Sequence, residues 1–158
     1  MSASGCPPPD LQQGIALFNQ GRYYECHDCL EALWMEAEVV EKAFYQGILQ
    51  IAVGFYHLGN HNWQGGTILL GEGVNRLRPF EPYYQGIAVD RLVDCGWAWL
   101  RALQQAGTQG VSTIAQALNS DPGAIPVDQR IAPAAILCHV DGQTLTLPAP
   151  FIFALARE

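Results

Sequence analysis

YYECHDCLEALWMEAEVVEKAFYQGILQIAVGFYHLG, residues 23–59, decides the fold. Two helical periods face each other here across an acidic turn. In the first, predicted over residues 23–37, Cys26, Leu30 and Leu33 make one apolar face with Ala37. Tyr23, His27, Glu31 and Trp34 recur beside that face at helical spacing. In the second, predicted over residues 40–58, Phe44, Ile48, Ile51 and Phe55 form an apolar stripe. Ala43, Gly47 and Gly54 form a small-residue stripe that lets another helix come close, and Gln46, Gln50, Val53 and His57 form a third, mostly polar ridge. A helix apolar on most sides is usually central to its bundle. Glu36, Glu38 and Glu41 crowd the turn with Lys42 opposing them. Carboxylates favour helix N-termini, which makes them candidate caps for the second of these helices.

Working outward, Asp10 is placed to cap a short helix carrying Leu11, Ile15 and Phe18 on one face, with Gly21 ending it. Downstream, Gly59-Asn60 reads as a C-terminal stop. A fourth helix is predicted over residues 63–77, with Trp63, Thr67, Leu70, Val74 and Leu77 in phase. Gly65, Gly66, Gly71 and Gly73 make it intrinsically weak, so packing must hold it. Pro79 and Pro82 mark a break, and a fifth helix over residues 88–105 carries Leu92, Cys95, Trp99 and Leu103. A short amphipathic piece capped by Ser112 follows. From Asn119 the composition changes, and Pro122, Pro126 and Pro133 forbid a long helix. Two β-prone runs joined by Asp141-Gly142 predict a hairpin near residues 137–147, which must pack through Leu137, Leu145 or Phe151. The expected fold class is therefore all-α: a compact bundle of about five helices over residues 10–118, a flexible lead at 1–9, and a Pro-rich extension with a β-hairpin at 119–158.

The bulk properties bound the function. A chain of 158 residues with 49% hydrophobic and 15% charged residues reads as one globular domain. A net charge of −7 with 8 scattered basic residues opposes nucleic-acid binding. Residues 43–71 carry no charge, but Gln46, Gln50, His57, Asn60, His61 and Asn62 interrupt the apolar runs, so a core helix fits better than a membrane span. The N-terminus has no basic n-region and no apolar h-region. Five cysteines, an odd number, read as reduced thiols of a cytoplasmic protein. Trp34, Trp63, Trp97 and Trp99 suggest large aromatic contacts, some at a homo-oligomeric surface.

Phe18, Gly21, Tyr23, Tyr24, Glu25, His27, Glu31 and Trp34, followed by Gln46-Gly47, Gln50, Ala52, His57 and Gly59-Asn60, resemble the domain-of-unknown-function family 309. The resemblance covers roughly residues 11–77, with weaker likeness towards Leu103. It implies a compact, mostly helical bundle and implies no activity.

The site residues are candidates for two chemistries. His27 and Glu31 lie at i, i+4 and could ligate a divalent metal with a third ligand from elsewhere, as in a metal-dependent hydrolase. With the turn centred near Val39, helical rise puts His27 roughly 18 Å and Glu31 roughly 12 Å from it, against roughly 17 Å for Gln50, 10 Å for Gln46 and 27 Å for His57. One shared metal site is strained by that spread. The same heights favour a buried ladder of hydrogen bonds, Glu31–Gln46, His27–Gln50 and Tyr23–His57, beside Trp34. Such a ladder lines a small-molecule pocket as readily as it holds two helices together. Cys26-His27-Asp28-Cys29 lies inside a predicted helix and has no second C-x-x-C, so core cysteine is the reading preferred to zinc or redox chemistry. Ser2, Ser4, Ser112 and Ser120 lack a nucleophile elbow, and no phosphate or dinucleotide fingerprint is present. No catalytic residue is identified. The expectation is a binding or structural module without a cofactor, with the His27–Glu31 metal enzyme as its rival.

Overall fold

The computed structural model describes residues 7–120 and 135–154. The lead expected at 1–9 and the extension expected at 119–158 therefore lie partly outside the described residues. Among those described, six α-helices carry the fold: α1 (Pro9–Asn19), α2 (Tyr23–Glu36), α3 (Val39–Gly59), α4 (Trp63–Leu77), α5 (Val89–Ala106) and α6 (Val111–Asn119). Two short antiparallel hairpins accompany them, β1 (Tyr83–Tyr84) with β2 (Ile87–Ala88) and β3 (Ile136–Val140) with β4 (Gln143–Leu147). The fold class is mostly all-α, as expected. The amphipathic piece after the fifth helix is a helix of its own, and β1–β2 is an element the sequence reading did not contain.

The helix ends correct three expected caps. Pro9 opens α1, so Asp10 falls inside its first turn and Pro8 holds the cap position. Proline suits that place because the missing N–H would have no helical partner there. Glu38 precedes α3 without a side-chain cap bond. Gly110 precedes α6, and Ser112 lies within it, its hydroxyl 3.1 Å from His61 Nδ1. Lys42 does the capping at the acidic corner. Its ammonium donates to the Trp34 carbonyl at the end of α2 (2.8 Å) and sits 4.1 Å from the centre of the Trp34 ring. A cation is favoured at that negative helix end.

The central position of α3 follows from its all-round apolarity. Phe44, Ile48, Ile51, Ala52, Phe55 and Leu58 are fully buried or nearly so. α2 runs antiparallel beside it: Tyr23, at its start, stacks on Phe55 near the end of α3, while Trp34, near its end, meets Lys42. α4 crosses on another side at backbone distance. A Cβ placed on Gly73 would lie 2.9 Å from the Gly47 carbonyl, and one on Gly54 would lie 3.0 Å from the Leu70 nitrogen. The small-residue stripe of α3 and the glycines of α4 thus account for each other. α5 packs outside α4, where Gly66 approaches Leu103 and Gly96 approaches Val74.

The C-terminal residues share this core. Ile136, Cys138, Val140, Leu147 and Ile152 belong to the same apolar cluster as α1 to α6. The β3–β4 hairpin closes through Asp141 (φ 50°) and Gly142 (φ 78°), both left-handed as a tight two-residue turn requires. Leu137 faces solvent, whereas Leu145 is half-buried and Phe151 is buried. Beyond it, Trp99 Nε1 donates to the Pro148 carbonyl (2.7 Å). The Asn19 amide clasps the Ile152 backbone, donating to its carbonyl (3.1 Å) and accepting from its N–H (2.7 Å). Of the tryptophans, Trp99 is fully buried, Trp34 and Trp63 are half-buried, and Trp97 is exposed. Among the described residues no helix is long and apolar enough to cross a membrane.

Candidate functional site

The seven residues singled out from sequence do not form the expected ladder. Glu31 is exposed, because its position on α2 turns it away from the buried Cys26–Leu30 face. No Glu31–Gln46 bond forms. His27 is half-buried, with Nδ1 3.1 Å from the adjacent Asp28 carboxylate rather than against Gln50. Trp34 is occupied by Lys42. Tyr23 turns into the core, edge-on to Phe18 at 5.3 Å and stacked on Phe55 at 5.5 Å, so it does not meet His57. Burial there pushes the pKa of its hydroxyl up, so it stays protonated.

Gln50 has a partner, but on the other neighbour of α3. It is the buried polar side chain of the core among the described residues. Its amide nitrogen donates to Glu72 (3.1 Å), and its carbonyl oxygen accepts from Arg76 Nε (3.0 Å). Glu72 and Arg76 lie one turn apart on α4, so the two ends of one amide meet opposite charges. A ladder between α2 and α3 alone leaves out α4, which supplies Gln50 with better partners. Glu72 followed by Arg76 at i+4 was the available signal. His27 and Gln50 share no partner. His27→Ala and Gln50→Ala are therefore expected to be additive in urea unfolding, with Gln50→Ala costing about 1–3 kcal/mol because it removes hydrogen bonds to two charged groups and leaves a gap in the core, although exposed Glu72 and Arg76 can turn to water. Coupling of 0.5 kcal/mol or more between His27 and Gln50 would restore the ladder.

The structure does bring His27 and His57 to one place. They line a pocket of about 270 Å³ together with Tyr24, Val53 and Tyr56. A shift of one residue from Tyr23 to Tyr24 turns the side chain by about 100° around α2, out of the core and onto this flank. Tyr24 makes edge contacts with Tyr56 at 5.3 Å and with His27 at 5.7 Å. The His57 ring lies over the start of α4, where a Cβ on Gly65 would come within 2.7 Å of it, and its Nδ1 is 3.4 Å from the Asn62 amide. Asn62 caps α4 by accepting from the Gly65 N–H (2.9 Å), so the cap also positions the imidazole.

Metal ligation finds less support in the geometry. Among the described residues no three His, Cys, Asp or Glu side chains converge. Cys26 and Cys29 lie inside α2 as free thiols, and burial pushes the Cys26 thiol up to about 12. At neutral pH it is neither a thiolate ligand nor a nucleophile.

Residues 11–69 match the family model described as Domain of unknown function (DUF309). Over 69 residues the chain is 29% identical to the Bacillus subtilis (strain 168) protein named Uncharacterized protein YpuF, a stretch that covers 43% of this chain and 40% of that one. No solved structure matches. The matched segment contains every residue of the Tyr24–His57 pocket, whereas Glu72 and Arg76 fall beyond it.

Proposed function

We propose that this protein is a binding module, and that the pocket of Tyr24, His27, Val53, Tyr56 and His57 receives a single planar ring of a small ligand. The observation that carries the reading is the convergence of four ring side chains from α2 and α3 on one cavity of about 270 Å³. Small-molecule sites usually enclose roughly 300–1,000 Å³, behind mostly apolar walls with a few polar groups. This pocket falls just below that range, which suits one ring rather than an extended molecule. Tyrosine faces and imidazoles stack on aromatic rings at centroid distances of about 4.5–7 Å. Two phenolic and two imidazole groups at the rim supply the polar contacts.

The test is an NMR titration with indole and, separately, with cyclohexane carboxamide. Indole is expected to move the Tyr24, His27, Tyr56 and His57 ring resonances to saturation, and Tyr56→Ala is expected to weaken it at least tenfold while the melt stays cooperative. Equal binding of the non-aromatic probe, or shifts confined to other residues, would sink the reading. Stoichiometric zinc, iron or manganese in untagged protein purified without chelator would replace it with the His27–Glu31 metal enzyme.

A further inference from the structure

A second concavity lies on the other flank of α2. Helical geometry places Tyr24 and His27 roughly 150° around the α2 axis from Glu25, Cys29 and Glu36, with the buried Cys26–Leu30 stripe on the longer arc between them. The concavity is an open groove of about 960 Å³ between α1, α2 and the start of α3. Its walls carry Asp10, Glu25, Asp28, Glu36, Glu38 and Glu41. Leu17, Leu33 and Tyr45 supply an apolar floor. Among the described residues that line it, Arg22 is the sole lysine or arginine, and it is held by Glu25 in a two-pronged ion pair. Glu25 is correspondingly shifted down from the usual carboxylate range by the Arg22 hydrogen bond. Five wall carboxylates are left without a lysine or arginine partner. At the α2–α3 corner, next in sequence to Glu36 and Glu38, Met35, Val39 and Val40 are exposed at 68%, 81% and 59%.

We propose that this groove docks a basic amphipathic segment of another protein, with its apolar side chains on Leu17, Leu33 and Tyr45 and its lysines or arginines along the carboxylate walls. The sign of the charge selects the occupant. A second copy of this chain brings a net −7 and only 8 basic residues, so it is repelled. Nucleic acids and anionic membranes are repelled for the same reason. A metal ion is poorly served, since the carboxylates spread along the groove and no three ligands converge among the described residues. The lining residues run from Arg22, just before α2, to Glu36 at its end, a span of roughly 21 Å, which matches a partner helix of about 14 residues. Apolar anchors on one helix face set in a groove, with charges outside them, are a recurrent mode of peptide recognition.

The test uses the full chain and a leucine–lysine amphipathic peptide of about 14 residues, with its leucine–glutamate counterpart as control. Three exposed wall residues are neutralised together in Asp28→Asn, Glu36→Gln and Glu38→Gln. A second triple variant, Glu31→Gln, Glu81→Gln and Asp94→Asn, removes the same charge away from the groove. Calorimetry is expected to show binding of the lysine peptide but not the glutamate peptide. The groove triple should weaken binding at least tenfold and the other triple less than twofold, with the difference shrinking as salt is raised. Leu33→Ser should weaken binding without changing its salt dependence. Equal losses in both triples would reduce the effect to net charge and overturn the proposal, as would failure of the lysine peptide to bind the wild-type protein. None of the variants but Asp28→Asn touches a partner of the Tyr24–His57 pocket; a double variant, Glu36→Gln with Glu38→Gln, omits it and should still weaken peptide binding more than the Glu81→Gln, Asp94→Asn pair, so the two readings fail separately.

Discussion

Trp99→Ala is expected to lower the stability by about 3–5 kcal/mol, against a total of about 5–15 for a domain of this kind. Trp99 has 0% exposure and is the largest fully buried side chain. Its ring meets Phe55 edge-on at 5.9 Å, so the loss reaches the central helix. Its N–H is also the hydrogen bond that fastens Pro148 to α5. Trp99→Phe separates the two roles. It keeps most of the apolar area but leaves the Pro148 carbonyl without that donor, at a cost of about 1–3 kcal/mol. Urea unfolding followed by circular dichroism gives both values. In Trp99→Phe, amide exchange should rise first in residues 136–152. If that variant unfolds like the wild type with unchanged exchange, the indole N–H is not an anchor for this segment.

Two glycines of α4 two positions apart are expected to respond with opposite sign. Alanine favours a helix interior over glycine by about 1 kcal/mol. At Gly71 the added Cβ would meet only Leu100 at 3.8 Å, an ordinary contact, so Gly71→Ala should gain up to about 1 kcal/mol. At Gly73 the Cβ would lie 2.6 Å from Ile51 Cγ1, 2.9 Å from the Gly47 carbonyl and 3.0 Å from the Ile51 nitrogen. Two of those three neighbours are backbone of α3 and cannot rotate away. Overpacking costs about 1–3 kcal/mol and sometimes more, so Gly73→Ala should lose up to about 2 kcal/mol after the helical gain is counted. Thermal melts of the two variants side by side decide the matter. A stabilised Gly73→Ala would mean that α3 and α4 do not cross at this distance.

The parts of this fold that could be read from sequence are those in which a residue's role depends on its own helix or turn. The burial of Leu11, Ile15 and Phe18 follows from spacing alone. So does the central place of α3, because nothing but other helices can cover a surface that is apolar all round. Asp141-Gly142 closes its hairpin because few residue pairs accept two left-handed conformations in succession. The β1–β2 hairpin uses the same device at Gln85 (φ 48°) and Gly86 (φ 79°), but two-residue strands carry no alternation to reveal it.

Pairing across elements was harder to read. Gln50 and His27 stand at matching heights along an isolated helix pair, yet height says nothing of which way a side chain turns. Gln50 turns towards α4 because a glutamate and an arginine wait there, and Tyr23 turns inward while Tyr24 takes the flank with His57. A one-residue difference in facing moves a side chain from core to cavity, and only the third helix fixes that choice. The acidic groove was legible as charge at the α2–α3 turn, while its floor required α1 and α3 to be set against α2.

The clasp of Asn19 on the Ile152 backbone has a consequence for the order of events as the chain is made. Its two ends are 133 positions apart. A contact of that separation lengthens the search for the native arrangement, as slow folding of proteins rich in distant contacts illustrates. During synthesis the last residue of α1 emerges early, but its clasp on the Ile152 backbone forms only after residue 152 has been made. The contacts that join the segment over residues 9–119 to Pro148 and Ile152 are therefore among the last to form, after the C-terminal residues have been made.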